Sequence, residues 1–215
     1  MKMGVSIGAA VVMLAILMPV YLSINQRTNK ALALIVKGLC TFVAAVICFV
    51  GAWRSDTANA WFITAGLFFC LVGDVTLGIH FITGVLFFLF GHLCYLAAFF
   101  GIAPFSLWSM PVFLVVFSLI AFLFLKRTGR LPYPRLPLCF YAAVICLMLS
   151  TAVLLPAWAG MRGWVTAAGA VLFVLSDSLL ATTMLYRRSD LINGISLTCY
   201  YAGQLLLALS VFLFA

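Results

Sequence analysis

Two aspartates occur where a lipid-soluble chain should carry no charge. Asp74 lies in Gly66 to Gly78, GLFFCLVGDVTLG, and Asp177 in Gly169 to Ala181, GAVLFVLSDSLLA. Each follows a glycine by eight residues and precedes a leucine by three and a small residue by four. An ionised side chain near a bilayer centre costs ~3 kcal/mol on insertion scales, so it is rarely found there without a task. Burial disfavours a carboxylate anion and a nearby cation favours it, so two buried aspartates sharing one lysine can divide into a protonated acid and an anion. Such a pair suits acid–base chemistry, one carboxyl delivering a proton and the other orienting water or stabilising a developing cation. The lysine at hand is Lys37, set inside another apolar run.

The elements that must position these groups are membrane helices. The 215 residues are 67% apolar and 7% charged, with a mean hydropathy of +1.29, whereas charged residues make up about a quarter of a soluble domain. Continuous, non-alternating apolar runs require helices rather than a barrel. Runs of about 20 residues predict an all-α polytopic protein with eight transmembrane helices in a single domain over 1–215: roughly 4–22, 31–50, 58–79, 81–100, 108–125, 136–155, 161–184 and 193–214. The seven cysteines fall inside these spans without metal-binding or CxxC spacing and read as small packing residues.

Charge sets the orientation. Arg27, Lys30, Lys126, Arg127, Arg130, Arg135, Arg187 and Arg188 put eight positive charges in the odd-numbered loops, against three (Lys2, Arg54 and Arg162) on the other side. The positive-inside rule then predicts cytoplasmic odd loops and both termini outside; the membrane expected is a bacterial inner one. The same explanation accounts for the net charge of +8, so no nucleic-acid partner is expected. Because Asp74 is in span three and Asp177 in span seven, the recurrence is compatible with two parallel four-helix repeats.

Helical spacing aims the polar groups inward. Gly66, Cys70, Asp74 and Gly78 form one i, i+4 stripe; Gly169, Phe173, Asp177 and Ala181 form its counterpart. Lys37 shares a face with Thr41, His92 with Tyr95, and Gln204 with Tyr200 and Tyr201. At 1.5 Å per residue Asp74, Asp177, Lys37, Tyr200, Tyr201 and His92 lie ~8–17 Å from the cytoplasmic ends of their spans. They predict a polar chamber opening toward the cytoplasmic leaflet, walled by spans two, three, four, seven and eight. A structural ion pair between Asp74 and Lys37 is the bland alternative. A proton-coupled transporter of small molecules or lipids would also use such groups.

Lys37, Gly73-Asp74 with Leu77, Gly91-His92 with Tyr95, Gly169 with Ser176-Asp177 and Leu180, and Tyr201 with Gln204 together resemble the YhhN-like lysoplasmalogenase family of integral membrane proteins. The resemblance covers nearly the whole chain. One departure is Gly38, where many relatives have proline after the lysine. The resemblance implies hydrolysis of the vinyl ether bond of lysoplasmalogens, giving a fatty aldehyde and glycerophosphoethanolamine or glycerophosphocholine, with no cofactor and no metal. The shared depth and facing of the polar groups assign Asp74 and Asp177 as the catalytic acid–base pair, with the donor of the two left open. Lys37, His92, Tyr95, Ser176, Tyr200, Tyr201 and Gln204 would contact or orient a lysophospholipid substrate, among the surrounding membrane lipids.

Overall fold

A computed structural model describes residues 30–124, 135–186 and 189–213, and over these residues the chain is all-helical. Seven helices correspond to the second to eighth expected spans: α1 (Lys30–Ser55), α2 (Ala58–Leu77), α3 (Phe81–Ile102), α4 (Ser109–Phe124), α5 (Arg135–Ala152), α7 (Met161–Leu185) and α8 (Asp190–Ser210). A single-turn helix, α6 (Pro156–Ala159), sits between α5 and α7. The first expected span, 4–22, lies outside the described residues.

Among the described residues, six segments are long and apolar enough to cross a membrane: Ala31–Ser55, Ala58–Leu77, Phe81–Ile102, Leu136–Ala159, Met161–Leu185 and Asp190–Leu213. The expected fifth span, 108–125, is a shorter apolar helix, Ser109–Leu123. The expected sixth, 136–155, ends early. Proline lacks an N–H and its ring crowds the carbonyl four residues back, here that of Ala152, so Pro156 ends the run there and opens α6. Gly160 then turns the chain into α7 with φ of 55°, a left-handed value that glycine adopts without penalty.

Other ends follow from local chemistry. Thr57 caps α2 by accepting from the Ala60 amide, and Ser189 caps α8 by accepting from that of Ile192. Asp190 in the first turn of α8 complements the positive end of the helix dipole. That explains a start at Asp190 rather than at the expected 193.

The bundle shows the apolar exterior of a membrane protein. On α1, Leu32, Ile35, Leu39, Phe42, Val46, Phe49 and Trp53 form an exposed stripe, while the opposite face buries small residues, Cys40, Ala44, Cys48 and Ala52. Exposed tryptophans mark one end of the bundle: Trp53, Trp108, Trp158 and Trp164. Tryptophan is enriched at membrane–water interfaces, so this end lies at one.

The two aspartate-bearing helices are held in the same way. α2 packs against α3 and α7 against α8, each through a glycine pair. A Cβ built on Gly66 or on Gly91 would lie 3.0 Å from the other's carbonyl oxygen; for Gly169 and Gly203 the values are 3.1 and 2.9 Å. Only glycine lets the backbones come this close. In each pair the first glycine stands eight residues before the aspartate. α5 packs on α3 and α7, and α1 packs on α2 and α8.

Candidate functional site

Asp74 is three residues from the end of α2, with its side chain 1% exposed. Three donors converge on it. Lys37 Nζ of α1 lies 3.0 Å from Oδ1. The Tyr200 hydroxyl of α8 donates to Oδ2 at 2.8 Å, and the Thr41 hydroxyl, one turn beyond Lys37 on α1, donates to the same oxygen. A buried anion is tolerated only with such pairing and hydrogen bonding. Lys37 and Thr41 can both reach it because their i, i+4 spacing puts them on one face.

Asp177, in the last third of α7, is only partly buried and has a different set of neighbours. Tyr141 of α5 donates its hydroxyl to Oδ2. The Tyr141 oxygen in turn lies 3.0 Å from Nε2 of His92, a fully buried residue of α3. Among the described residues no cation forms an ion pair with Asp177. The two carboxyls therefore differ in what surrounds them: Lys37 pairs with Asp74, and Tyr141 bonds to Asp177.

Both line one cavity of about 330 Å³, at the small end of the ~300–1,000 Å³ usual for ligand sites. Its polar lining includes Lys37, Asp74, Tyr141, Ser176, Asp177, Asn193 and Tyr200. The remainder is largely apolar, including Phe81, Val85, Phe88, Phe117, Ile120, Leu138, Ile145, Val174 and Met184. The expected chamber is thus corrected in two respects. It is mostly greasy with a polar patch, and α4 and α5, matching expected spans five and six, also wall it. It lies toward the bundle end opposite the exposed tryptophans, since its lining draws on the C-terminal parts of α2, α4 and α7 and the N-terminal parts of α1, α3, α5 and α8.

Of the residues singled out from sequence, Lys37, Asp74, Ser176, Asp177 and Tyr200 line the cavity. His92, Tyr95, Tyr201 and Gln204 do not; they form a supporting layer. Tyr95 donates to Gln204 Oε1 at 3.1 Å, and the Tyr201 hydroxyl donates to the backbone carbonyl of Lys37 at 3.4 Å. The His92 ring stands edge-on to Phe173, with centroids 4.6 Å apart, and Phe173 contacts Tyr200 at 5.2 Å. An aromatic wall thereby runs from the neighbour of Asp177 to the neighbour of Asp74. Ser196 donates to the Ser176 carbonyl at 2.9 Å, joining α7 to α8 beside the cavity. Among the described residues no three His, Cys, Asp or Glu side chains gather as a metal site would need.

Sequence reasoning missed Tyr141 and gave Thr41 no role. The available signal for Tyr141 was its position near the start of a span, in the layer occupied by the other polar residues. A single tyrosine there is otherwise indistinguishable from packing.

The model of the YhhN family matches residues 32–211, a stretch that contains every residue lining the cavity. The chain belongs to the YhhN family. It is similar to mouse lysoplasmalogenase TMEM86B, 29% identical over 178 residues that cover 80% of this chain and 72% of the mouse protein. The rat protein of the same name is 30% identical over 178 residues, covering 80% of this chain and 70% of its own. No solved structure matches this YhhN-family chain. Family membership and the six long apolar helices make it an integral membrane protein.

Proposed function

We propose that the protein hydrolyses the vinyl ether bond of lysoplasmalogens, releasing a fatty aldehyde and a glycerophospho-alcohol. The observation that carries this is one greasy cavity lined by two carboxyls with unlike partners. Similarity to proteins named lysoplasmalogenase supports the substrate class.

The reaction needs a proton on carbon. Protonating the alkene carbon next to the chain gives an oxocarbenium ion; water adds to the carbon bearing oxygen, and the hemiacetal collapses to aldehyde and alcohol. No nucleophilic serine is required. Asp177 is the proton donor, because among the described residues no cation forms an ion pair with it and its neighbour Tyr141 bonds to only one of its oxygens. Asp74, held by Lys37, Thr41 and Tyr200, is the anion that faces the oxocarbenium charge. Water addition returns a proton to Asp177, which then protonates the departing ether oxygen; as the C–O bond breaks and the carbonyl forms, the hemiacetal hydroxyl gives its proton back to Asp177 and restores the acid.

Depth agrees with this chemistry. Asp74 is ~5 Å and Asp177 ~12 Å from the ends of their helices. In a lysolipid lying along the bundle, the ether oxygen sits just below the head group at similar depth, while the chain follows the apolar lining. The paired glycine crossings support two parallel halves. With the positive-inside asymmetry, the cavity belongs to the cytoplasmic leaflet.

The test is aldehyde release from a 1-alkenyl lysophospholipid by purified protein. Asp74→Asn and Asp177→Asn should each lose at least about a hundredfold. Near-normal turnover by either folded variant ends the two-carboxyl mechanism. Flux of intact lipid into sealed vesicles without aldehyde would point to a transporter instead.

A further inference from the structure

Tyr141 is the one hydroxyl hydrogen-bonded to Asp177 among the described residues, and His92 is the group behind it. With the tyrosine hydrogen committed to Asp177 Oδ2, the tyrosine oxygen is left to accept. The 3.0 Å contact then requires hydrogen on Nε2 of His92. The other ring nitrogen, Nδ1, is buried and meets no partner among the described residues, as suits a bare lone pair better than a stranded N–H donor. Burial against Phe173 and Tyr95 fixes the ring plane, with centroids 4.6 and 6.0 Å away. The chain therefore runs in one direction, from the His92 N–H through the Tyr141 O–H to Asp177.

We infer that Tyr141, fixed by His92, is the positioning residue that reserves Oδ2 of Asp177 as the hydrogen-bonded oxygen and Oδ1 as the oxygen that carries the transferable proton. This rests on the lysoplasmalogenase reading above. Oδ1–H gives its proton to the alkene carbon, forming the C–H bond as the alkene π bond is consumed, and the electrons of the O–H bond remain on the carboxylate. The charge so created on Asp177 meets a donor already in place on Oδ2, which needs no reorganisation at the moment of transfer. His92, a sequence-level candidate for substrate contact, acts through Tyr141 instead.

The experiment measures aldehyde release by purified wild type, Tyr141→Phe, His92→Phe, His92→Gln and the Tyr141→Phe/His92→Phe double variant, with thermal unfolding alongside. Tyr141→Phe should lower kcat about tenfold or more, the rate equivalent of one lost charge-assisted hydrogen bond, with KM changed less than twofold. His92→Phe should cause a similar fall, and the double variant should fall no further than Tyr141→Phe alone. His92→Gln, whose amide can present the same donor, should recover much of what His92→Phe loses. A Tyr141→Phe kcat within twofold of wild type, or independent effects that multiply in the double variant, overturns the inference. A kcat loss that only tracks unfolding overturns it too. Wild type that releases no aldehyde defeats the parent reading, and this inference with it; normal Tyr141→Phe beside an inactive Asp177→Asn defeats this inference alone.

Discussion

Lys37 and Asp74 form an ion pair 3.0 Å long between α1 and α2, with side chains 13% and 1% exposed. Removing one partner of a buried pair strands the other, typically at ~3–5 kcal/mol, whereas removing both is far less costly. Lys37→Met should lower the thermal unfolding temperature clearly, and adding Asp74→Asn should restore part of the loss. Additive losses in the double variant would show that the two groups are not coupled. Neither variant should regain activity.

Tyr200 and Thr41 both donate to Oδ2 of Asp74. A hydrogen bond to a charged group contributes ~1.5–3 kcal/mol. Tyr200→Phe and Thr41→Val are each expected to reduce kcat roughly 10- to 100-fold if the full bond energy is expressed in the transition state. An unchanged kcat in both would mean that the Asp74 anion takes no part in the rate-limiting step.

The cavity wall includes Ala121, Ala142 and Ala181, where larger side chains would project into the apolar region. Ala142→Phe or Ala181→Phe should raise KM for a long-chain lysoplasmalogen at least tenfold while affecting a short-chain analogue much less. Equal effects on both chain lengths would indicate that the chain does not occupy this space.

The glycine crossings hold each aspartate helix against its neighbour. A methyl on Gly203 would lie 2.9 Å from the Gly169 carbonyl, and one on Gly66 would collide with the Tyr95 ring. Overpacking of this kind costs ~1–3 kcal/mol. Gly66→Ala and Gly203→Ala should both lower thermal stability in detergent, and Gly66→Ala should also disturb the Tyr95–Gln204 bond. Wild-type stability in both would mean that the helices separate there without cost.

What could be read from the chain depended on contrast. Asp74, Asp177 and Lys37 stood out because charge inside apolar runs is expensive, and the helices announced themselves by length and hydropathy. Tyr141 carries no such contrast. Its hydroxyl matters only because α5 packs between α3 and α7, a contact between distant segments that periodicity does not encode. For the same reason the greasy contribution of Phe117, Ile120, Leu138 and Ile145 was invisible, since lipid-facing and cavity-facing residues look alike in sequence. The break at Pro156 was legible, since the sixth span was expected to stop at 155; that α5 already ends at Ala152 was masked by the unbroken hydropathy around it.

Cleavage in deuterated water tests the proton transfer to carbon most directly. The aldehyde should be reduced in situ to its alcohol, which blocks later exchange, and analysed by mass spectrometry. Transfer from Asp177 to the alkene carbon predicts one deuterium on the carbon next to the former carbonyl, with formation of that product abolished by Asp177→Asn. Product lacking deuterium at that carbon, or labelled product still formed at the normal rate by Asp177→Asn, would contradict it.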